Sequence, residues 1–155
     1  MAKDDVYYDD PSGAVAYLRD KVIGKKLGSG GMEIRPTSLP NGPKFLGLAR
    51  MKAANRMDLA AIPRVAIGAA KHGEIPVWVI PRQGIGAEQV ATALAQAQVN
   101  VPTGEAKTDS YRLEFPKGTP PEELVAFAQQ AITALGVQPG QGWQWISRGG
   151  DQMPG

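Results

Sequence analysis

Apolar residues at helical spacing predict a helix near the start of the chain. Val15, Leu18 and Val22 follow one another at intervals of three and four residues, which places them on one helical face. Residues 10–12, Asp-Pro-Ser, precede them and combine a capping residue with a proline suited to the first turn. We expect this helix to end within residues 24–28, where glycine is frequent.

The clearest local signal lies at residues 119–122, Thr-Pro-Pro-Glu. We expect Thr119 to cap a helix, Pro120 to occupy its first position and Glu122 to reach back and complete a capping box. Apolar residues follow on one helical face, and Gly136 is expected to end the helix. That face consists of Leu124, Ala128, Ala131, Ile132 and Leu135.

Two shorter helices are predicted between these. One follows a turn at residues 84–86 and has a narrow apolar face that includes Val90 and Leu94. The other is expected to begin at Pro63, to carry Val65 and Ile67, and to end near Gly73.

Runs rich in β-branched and aromatic residues predict the strands. They cover residues 32–35, 44–51, 75–80, 111–115 and 143–146. Pro76 indicates either an edge strand or a strand beginning, because proline cannot donate to a sheet ladder. Residues 99–108 are predicted as a loop, with room for a short strand at its start.

These elements predict a single compact α/β domain over residues 10–148, with an α+β arrangement as the alternative. Three or four helices are expected to surround a small mixed sheet. Residues 1–9 are predicted to be a flexible arm, in which residues 6–8 can dock as a short extended segment. Residues 149–155 are predicted to be a flexible tail.

The composition excludes several classes of site and location. The chain has no cysteine, so disulfides, thiolate metal sites and cysteine nucleophiles are impossible. Its single histidine, His72, is expected at a helix end rather than in a catalytic or metal site. The sequence has no run of eighteen apolar residues, so no membrane span is expected. Its acidic start does not resemble a secretory signal. We expect a cytoplasmic protein, with a virion component as the alternative.

Charge is distributed unevenly along the chain. Residues 19–72 carry eleven Lys or Arg against three acids, whereas the segments on either side are both net acidic. The formal net charge of +2 hides this asymmetry. A concentrated basic region favours an anionic partner, and phosphate groups bind such cations with release of counterions.

We therefore predict an anion-binding or nucleic-acid-binding site within the basic region. Its candidate residues are Lys25, Lys26, Lys44, Arg50, Lys52, Arg56 and Arg64. Phe45 is the single aromatic residue of residues 19–72, so contacts to the backbone are expected rather than base stacking. The alternative is a solvated surface whose cations pair with acids nearby in the fold.

Other motifs are incomplete. The glycine-rich residues 25–31 lack the Gly-Lys-Ser/Thr ending of a nucleotide-binding loop. Residues 84–86, Gly-Ile-Gly, lack the third glycine of the dinucleotide pattern, whose position is taken by Gln89; a helix-cap role explains them. Residues 105–107, Glu-Ala-Lys, match the end of many nuclease sites, but they lie in a predicted loop. No catalytic set, metal site or cofactor is predicted.

The three tryptophans are interpreted as core residues, with a binding surface as the alternative. Trp143 and Trp145 lie two residues apart on a predicted strand and would therefore share one face. Large aromatic residues are usually well buried, and Trp78 also lies on a predicted strand.

Residues 10–51 resemble the start of phage tail-terminator and neck proteins. The resemblance consists of a proline-led first helix, a turn at residues 40–43 and a strand at residues 44–51. It covers about a quarter of the chain, and the later half departs from that pattern. It implies an assembly role.

The sequence thus favours a non-enzymatic binding protein whose partner is the nucleic-acid backbone or another polyanion. The first alternative is a structural protein that forms an oligomer or a phage virion part. The second is an enzyme with a site built from scattered residues.

Overall fold

The computed structural model describes residues 7–8, 11–23, 30–36, 63–70, 73–82, 84–102, 104–136 and 143–148. Strands among them are β1 (Tyr7–Tyr8), β2 (Gly31–Pro36), β3 (Arg64–Gly68), β4 (Glu74–Ile80), β5 (Gly104–Ala106), β6 (Tyr111–Pro116) and β7 (Trp143–Arg148). Helices among them are α1 (Pro11–Tyr17), which continues as a π-helix over Leu18–Ile23, α2 (Ala87–Gln96) and α3 (Pro121–Ala134).

The seven strands form one sheet in the order β1-β7-β2-β3-β4-β6-β5, and each neighbouring pair is antiparallel. The predicted α/β class is confirmed, but the pairing is not the predicted mixture of directions. The reason lies in β5, which was not predicted at residues 104–106. The chain returns from α2 into β5 and then reverses into β6, so β6 runs antiparallel to β4.

The main core lies between one face of the sheet and the three helices. Alternate residues of the central strands point toward the helices, as strand geometry requires. The sheet contributes Met32, Ile34, Val65, Ile67, Ile75, Val77, Val79, Leu113 and Trp145. The helices contribute Leu18, Val22, Val90, Leu94, Leu124, Ala128 and Ile132, as their periodicity predicted, and also Ala14, whereas the predicted Val15 is partly buried. Both sets bury apolar surface, which is the dominant favourable term in folding.

The helix predicted from Pro63 is wrong, because residues 64–68 form strand β3. Val65 and Ile67 face the main core, whereas Ala66 packs with Trp78 on the opposite face. A short run that is apolar on both sides does not distinguish helix from strand by periodicity. The β-branched residues of this run fit a strand between two others.

Pro76 marks a strand beginning but not an edge. Strand β4 lies between β3 and β6, in the interior of the sheet. Pro76 is its third residue, and the paired register with β3 extends only to Val77 opposite Ile67. Proline is therefore tolerated here just beyond the end of that ladder.

Helix α3 begins one residue later than predicted, and the expected capping box is absent. Pro120 is the N-cap residue, and the Thr119 N–H that Glu122 was expected to bind donates to the Pro116 carbonyl at 2.9 Å. The Thr119 hydroxyl instead donates to the Pro116 carbonyl at 2.7 Å. At the other end, Gly136 follows the helix with φ of +98°, as predicted for a terminating glycine.

The remaining predictions concern the start of the chain, the strand at residues 44–51, the domain boundaries and membrane spans. Residues 7–8 dock as an extended segment, since Tyr7 pairs with Ile146 and Tyr8 with Trp145 on β7. The strand predicted over residues 44–51 lies outside the described residues. The boundaries predicted for a flexible arm, a domain and a flexible tail stay predictions. In the described part of the chain, no helix has the length and apolar character needed to cross a membrane.

Candidate functional site

A row of side chains crosses the sheet on the face opposite the helices. Glu33 of β2 lies opposite Ala66 of β3, which lies opposite Trp78 of β4, which lies opposite Arg112 of β6. Their chain neighbours face the helices, so strand alternation places this row on the other side, here called the second face. Glu33, Ala66 and Trp78 are buried nevertheless.

Glu33 is the centre of a buried charged cluster on this second face. The Arg35 Nε donates to Glu33 Oε2 at 2.9 Å, and the Arg64 Nη1 donates to Glu33 Oε1 at 3.1 Å. The exposed fraction of the side chain is 5% for Glu33, 2% for Arg35 and 24% for Arg64. We call these three residues the Arg35–Glu33–Arg64 cluster; it joins two neighbouring central strands.

The backbone explains why these three side chains meet. Glu33 and Arg35 are two residues apart on β2 and therefore point to the same face. Ile34 pairs with Val65 in the adjacent strand, and the same register places Arg64 beside Arg35. Removing such ions from water is costly, and the cost is offset only when the charges are well paired.

Four buried side-chain nitrogens among the described residues have no hydrogen-bond partner: Arg35 Nη2, Arg64 Nε, Trp78 Nε1 and Arg112 Nε. All four are donors, and all belong to the second face. Arg35 Nη2 lies 2.7 Å from Glu33 Oε2, but this ion pair lacks hydrogen-bond alignment. The second face thus has an excess of donors over acceptors at these positions.

Arg112 lies farther along the same row. Its guanidinium carbon is 5.3 Å from the centre of the Trp78 ring, within cation–π distance. It also forms an ion pair with Glu114 at 3.6 Å. Three strand spacings separate Arg112 from Glu33, or about 14 Å, so Arg112 is not part of the Arg35–Glu33–Arg64 cluster.

Of the seven predicted site residues, Arg64 alone lies in the described part of the chain. Its side chain is partly buried and pairs with Glu33. The other six lie outside the described residues: Lys25, Lys26, Lys44, Arg50, Lys52 and Arg56. Whether these residues bind an anion stays a prediction.

The sequence did not single out Glu33 or Arg35 as site residues. The signal was present, because two charged residues alternate with Met32 and Ile34 in a predicted strand. Such alternation places both charges on one sheet face. It gave no sign that this face would be buried or that Arg64 would join them, since the Pro63 segment was predicted to be helical.

Arg19 is also paired within the basic region. Its Nε lies 2.9 Å from Asp20 Oδ1 on the exposed surface. This hydrogen bond lowers the pKa of the Asp20 carboxyl below its ordinary value, and Asp20 raises the pKa of Arg19. Three of the four described cations of residues 19–72 therefore have an acidic partner, as the solvated-surface alternative predicts for cations near acids.

The remaining motifs have structural explanations where the structure describes them. The Gly86 N–H donates to Gln89 Oε1 at 2.8 Å, so residues 84–86 open helix α2, as interpreted from the sequence. Glu105 lies on β5 rather than in a loop, and its carboxylate lies 3.2 Å from the Lys107 ammonium. Within the described ranges, no group of three His, Cys, Asp or Glu side chains is placed to hold a metal. His72 lies outside these ranges.

Trp78 and Trp145 are both buried, which confirms the core interpretation for these two residues. Trp145 packs in the main core, and Trp78 packs with Ala66 and Ile80 on the second face. Neither ring is available to stack on a base. The side chain of Trp143 lies outside the described part of the structure.

Two open grooves beside α3 are less suited to an anion. One has a volume of about 480 Å³ and is lined in part by Asn100, Phe115 and Glu123. The other, of about 500 Å³, is lined in part by Val99, Gln129 and Thr133. Neither lining includes a Lys or Arg, and the first includes a carboxylate.

Comparison with protein-family models, with curated proteins and with solved structures found no match for this chain. A functional proposal therefore depends on the residues and their geometry.

Proposed function

We propose that the protein is a non-enzymatic binding protein that contacts an anionic partner, with the nucleic-acid backbone as the partner class that its charge favours. The observation that carries the proposal is the excess of cations in residues 19–72, eleven against three acids. Lys and Arg bind phosphates with release of condensed counterions, which makes such contacts strong at low salt. The proposed place of action is one where nucleic acid is present, either the cytoplasm or a virion.

The ion pairs of the described cations limit the proposal, whereas the charge count of the remaining cations supports it. Four cations and two acids of the basic region lie in the described residues, and three of those cations are paired. The other seven cations lie outside the described residues and have one acid, Asp58, to balance them. Most of the uncompensated charge therefore belongs to residues such as Lys44, Arg50 and Arg56.

The described residues on either side of the segment 37–62 lie close together. The chain leaves β2 after Pro36 and is described again from Pro63, immediately before β3. Since Ile34 pairs with Val65, Pro36 and Pro63 lie on adjacent strands at the same end of the sheet, near the Arg35–Glu33–Arg64 cluster.

Paired charge reversal tests the proposal. We expect the double variant Arg50→Glu/Arg56→Glu to bind a labelled DNA duplex and a labelled single strand at least about tenfold more weakly, because phosphate contacts become repulsive. The measurement is fluorescence anisotropy at low salt.

The matched control is Arg82→Glu/Lys117→Glu, which changes the net charge by the same amount at two exposed residues outside the basic region. Its affinity is expected to fall much less. Equal losses in the two variants would show that net charge alone drives binding, and would contradict a binding surface in residues 19–72. Thermal unfolding of each variant checks that it folds.

A further inference from the structure

Among the described residues, the Arg35–Glu33–Arg64 cluster pairs two cations with one carboxylate. Guanidinium groups remain protonated in proteins, so two positive charges share the Glu33 carboxylate. Within the described part of the chain, Glu33 is the one carboxylate that pairs with either arginine. A buried charge without full compensation is costly, and an additional anion would lower that cost.

The unpartnered donors of the cluster indicate what kind of group could provide the compensation. Arg64 Nε is a buried N–H donor without a hydrogen-bond partner among the described residues, and Arg35 Nη2, although 2.7 Å from Glu33 Oε2, is not aligned to donate to it. Arginine side chains recognise phosphate and carboxylate oxygens through paired N–H groups in a planar fork. A group that offers several oxygens with negative charge satisfies both the donors and the charge.

The two arginines of the cluster differ in exposure. The Arg35 side chain is 2% exposed, whereas the Arg64 side chain is 24% exposed, so an incoming ion would approach past Arg64. Both arginines project from central strands, which hold their donors in place better than a loop would.

We propose that Arg35 and Arg64 bind a phosphate-type oxyanion on the second face of the sheet. Arg64 meets the ion at the accessible side, Arg35 donates from the buried side, and Glu33 orients both guanidinium groups. This inference rests on the proposed function for one of its two sources, a phosphate of the nucleic-acid backbone. The other source is free phosphate.

Thermal unfolding of the full chain tests the site with inorganic phosphate as the probe. Sodium phosphate is compared with sodium chloride at equal ionic strength. We expect the Tm to rise by about 3 °C or more when phosphate is at about ten times its Kd, because a ligand that binds the folded state stabilises it.

Arg64→Gln is expected to lose this rise, since it removes the positive charge and the planar fork of guanidinium N–H donors. Arg82→Gln is the matched control, because Arg82 is exposed and outside the cluster, and it should retain the rise. General salting effects of phosphate are the same in both variants. An unchanged Tm in the wild-type chain, or an equal rise in Arg64→Gln, would overturn the proposal.

Isothermal titration calorimetry supplies a test that needs no variant. We expect the wild-type chain to bind about one phosphate ion, with affinity that falls as chloride rises. Absence of binding would mean that the cluster is a structural ion triad alone, which is a known use of buried charges.

A short single-stranded oligonucleotide distinguishes the two sources. If it competes with phosphate for the site, the nucleic-acid backbone is the source and both proposals gain support. If phosphate binds with dependence on Arg64 while the oligonucleotide neither binds nor competes, the oxyanion site stands and the proposed nucleic-acid function fails.

Discussion

At the scale of single residues, Glu33 has the most consequential contacts that the structure describes. Its carboxylate accepts hydrogen bonds from guanidinium groups on β2 and β3, and its side chain is 5% exposed. Removing one partner of a buried ion pair is more damaging than its presence is stabilising, because the remaining charge has no counterpart. Glu33 therefore keeps one buried and one partly buried cation compatible with the sheet.

We expect Glu33→Gln to lower the free energy of unfolding by about 3–5 kcal/mol, since two arginines then lose their shared carboxylate. Urea denaturation followed by tryptophan fluorescence measures the change. Asp20→Asn is the comparison, because it breaks an exposed Arg–Asp pair, and it should leave the unfolding curve nearly unchanged. A Glu33→Gln curve that superimposes on the wild type would contradict a paired, buried cluster.

At the scale of elements, periodicity predicted α1, α2 and α3, but it predicted a helix where β3 forms and did not predict β5. Stripes in α1, α2 and α3 gave their buried faces, because a helix with one apolar face has a distinctive spacing. Strand β3 was missed because both of its faces are buried. Strand β5 was missed because it has three residues and begins with Gly104, where a Cβ would lie 2.5 Å from Tyr111 Cε2.

The start of α3 provides a test at this scale. We expect Thr119→Ala to lower the free energy of unfolding by about 0.5–1.5 kcal/mol, because it removes the hydroxyl that donates to the Pro116 carbonyl. Thr119→Ser keeps a hydroxyl and should lose less. Thermal or urea unfolding measures both variants.

Glu122→Ala separates this arrangement from the capping box that the sequence suggested. The Thr119 N–H donates to the Pro116 carbonyl rather than to Glu122, so the loss of Glu122 should cost less than that of the Thr119 hydroxyl. The opposite order of stabilities would indicate that the capping box forms after all.

At the scale of the whole molecule, the sheet ends in very short strands on both sides. β1 has two residues and β5 has three, and short edge strands discourage pairing with other chains. This gives no support to assembly by strand addition, although an assembly role through other surfaces stays the alternative.

The sequence predicted the charge asymmetry of the molecule but little of its local geometry. Counting acids and bases identified residues 19–72, because composition needs no structure. It could not show that Arg64 pairs with Glu33, since this contact joins residues 31 positions apart through strand register. The second face depends on the pairing of β3 with β2, which the sequence did not predict.

The most direct test of the binding proposal is the salt dependence of nucleic-acid affinity. A labelled duplex and a labelled single strand are titrated with the wild-type chain at about 50 and about 200 mM salt, the range in which phosphate contacts lose affinity steeply. We predict binding to at least one of them that weakens by about tenfold or more at the higher salt. Absence of binding to both at the lower salt, or an affinity that does not change with salt, would contradict a phosphate-driven function.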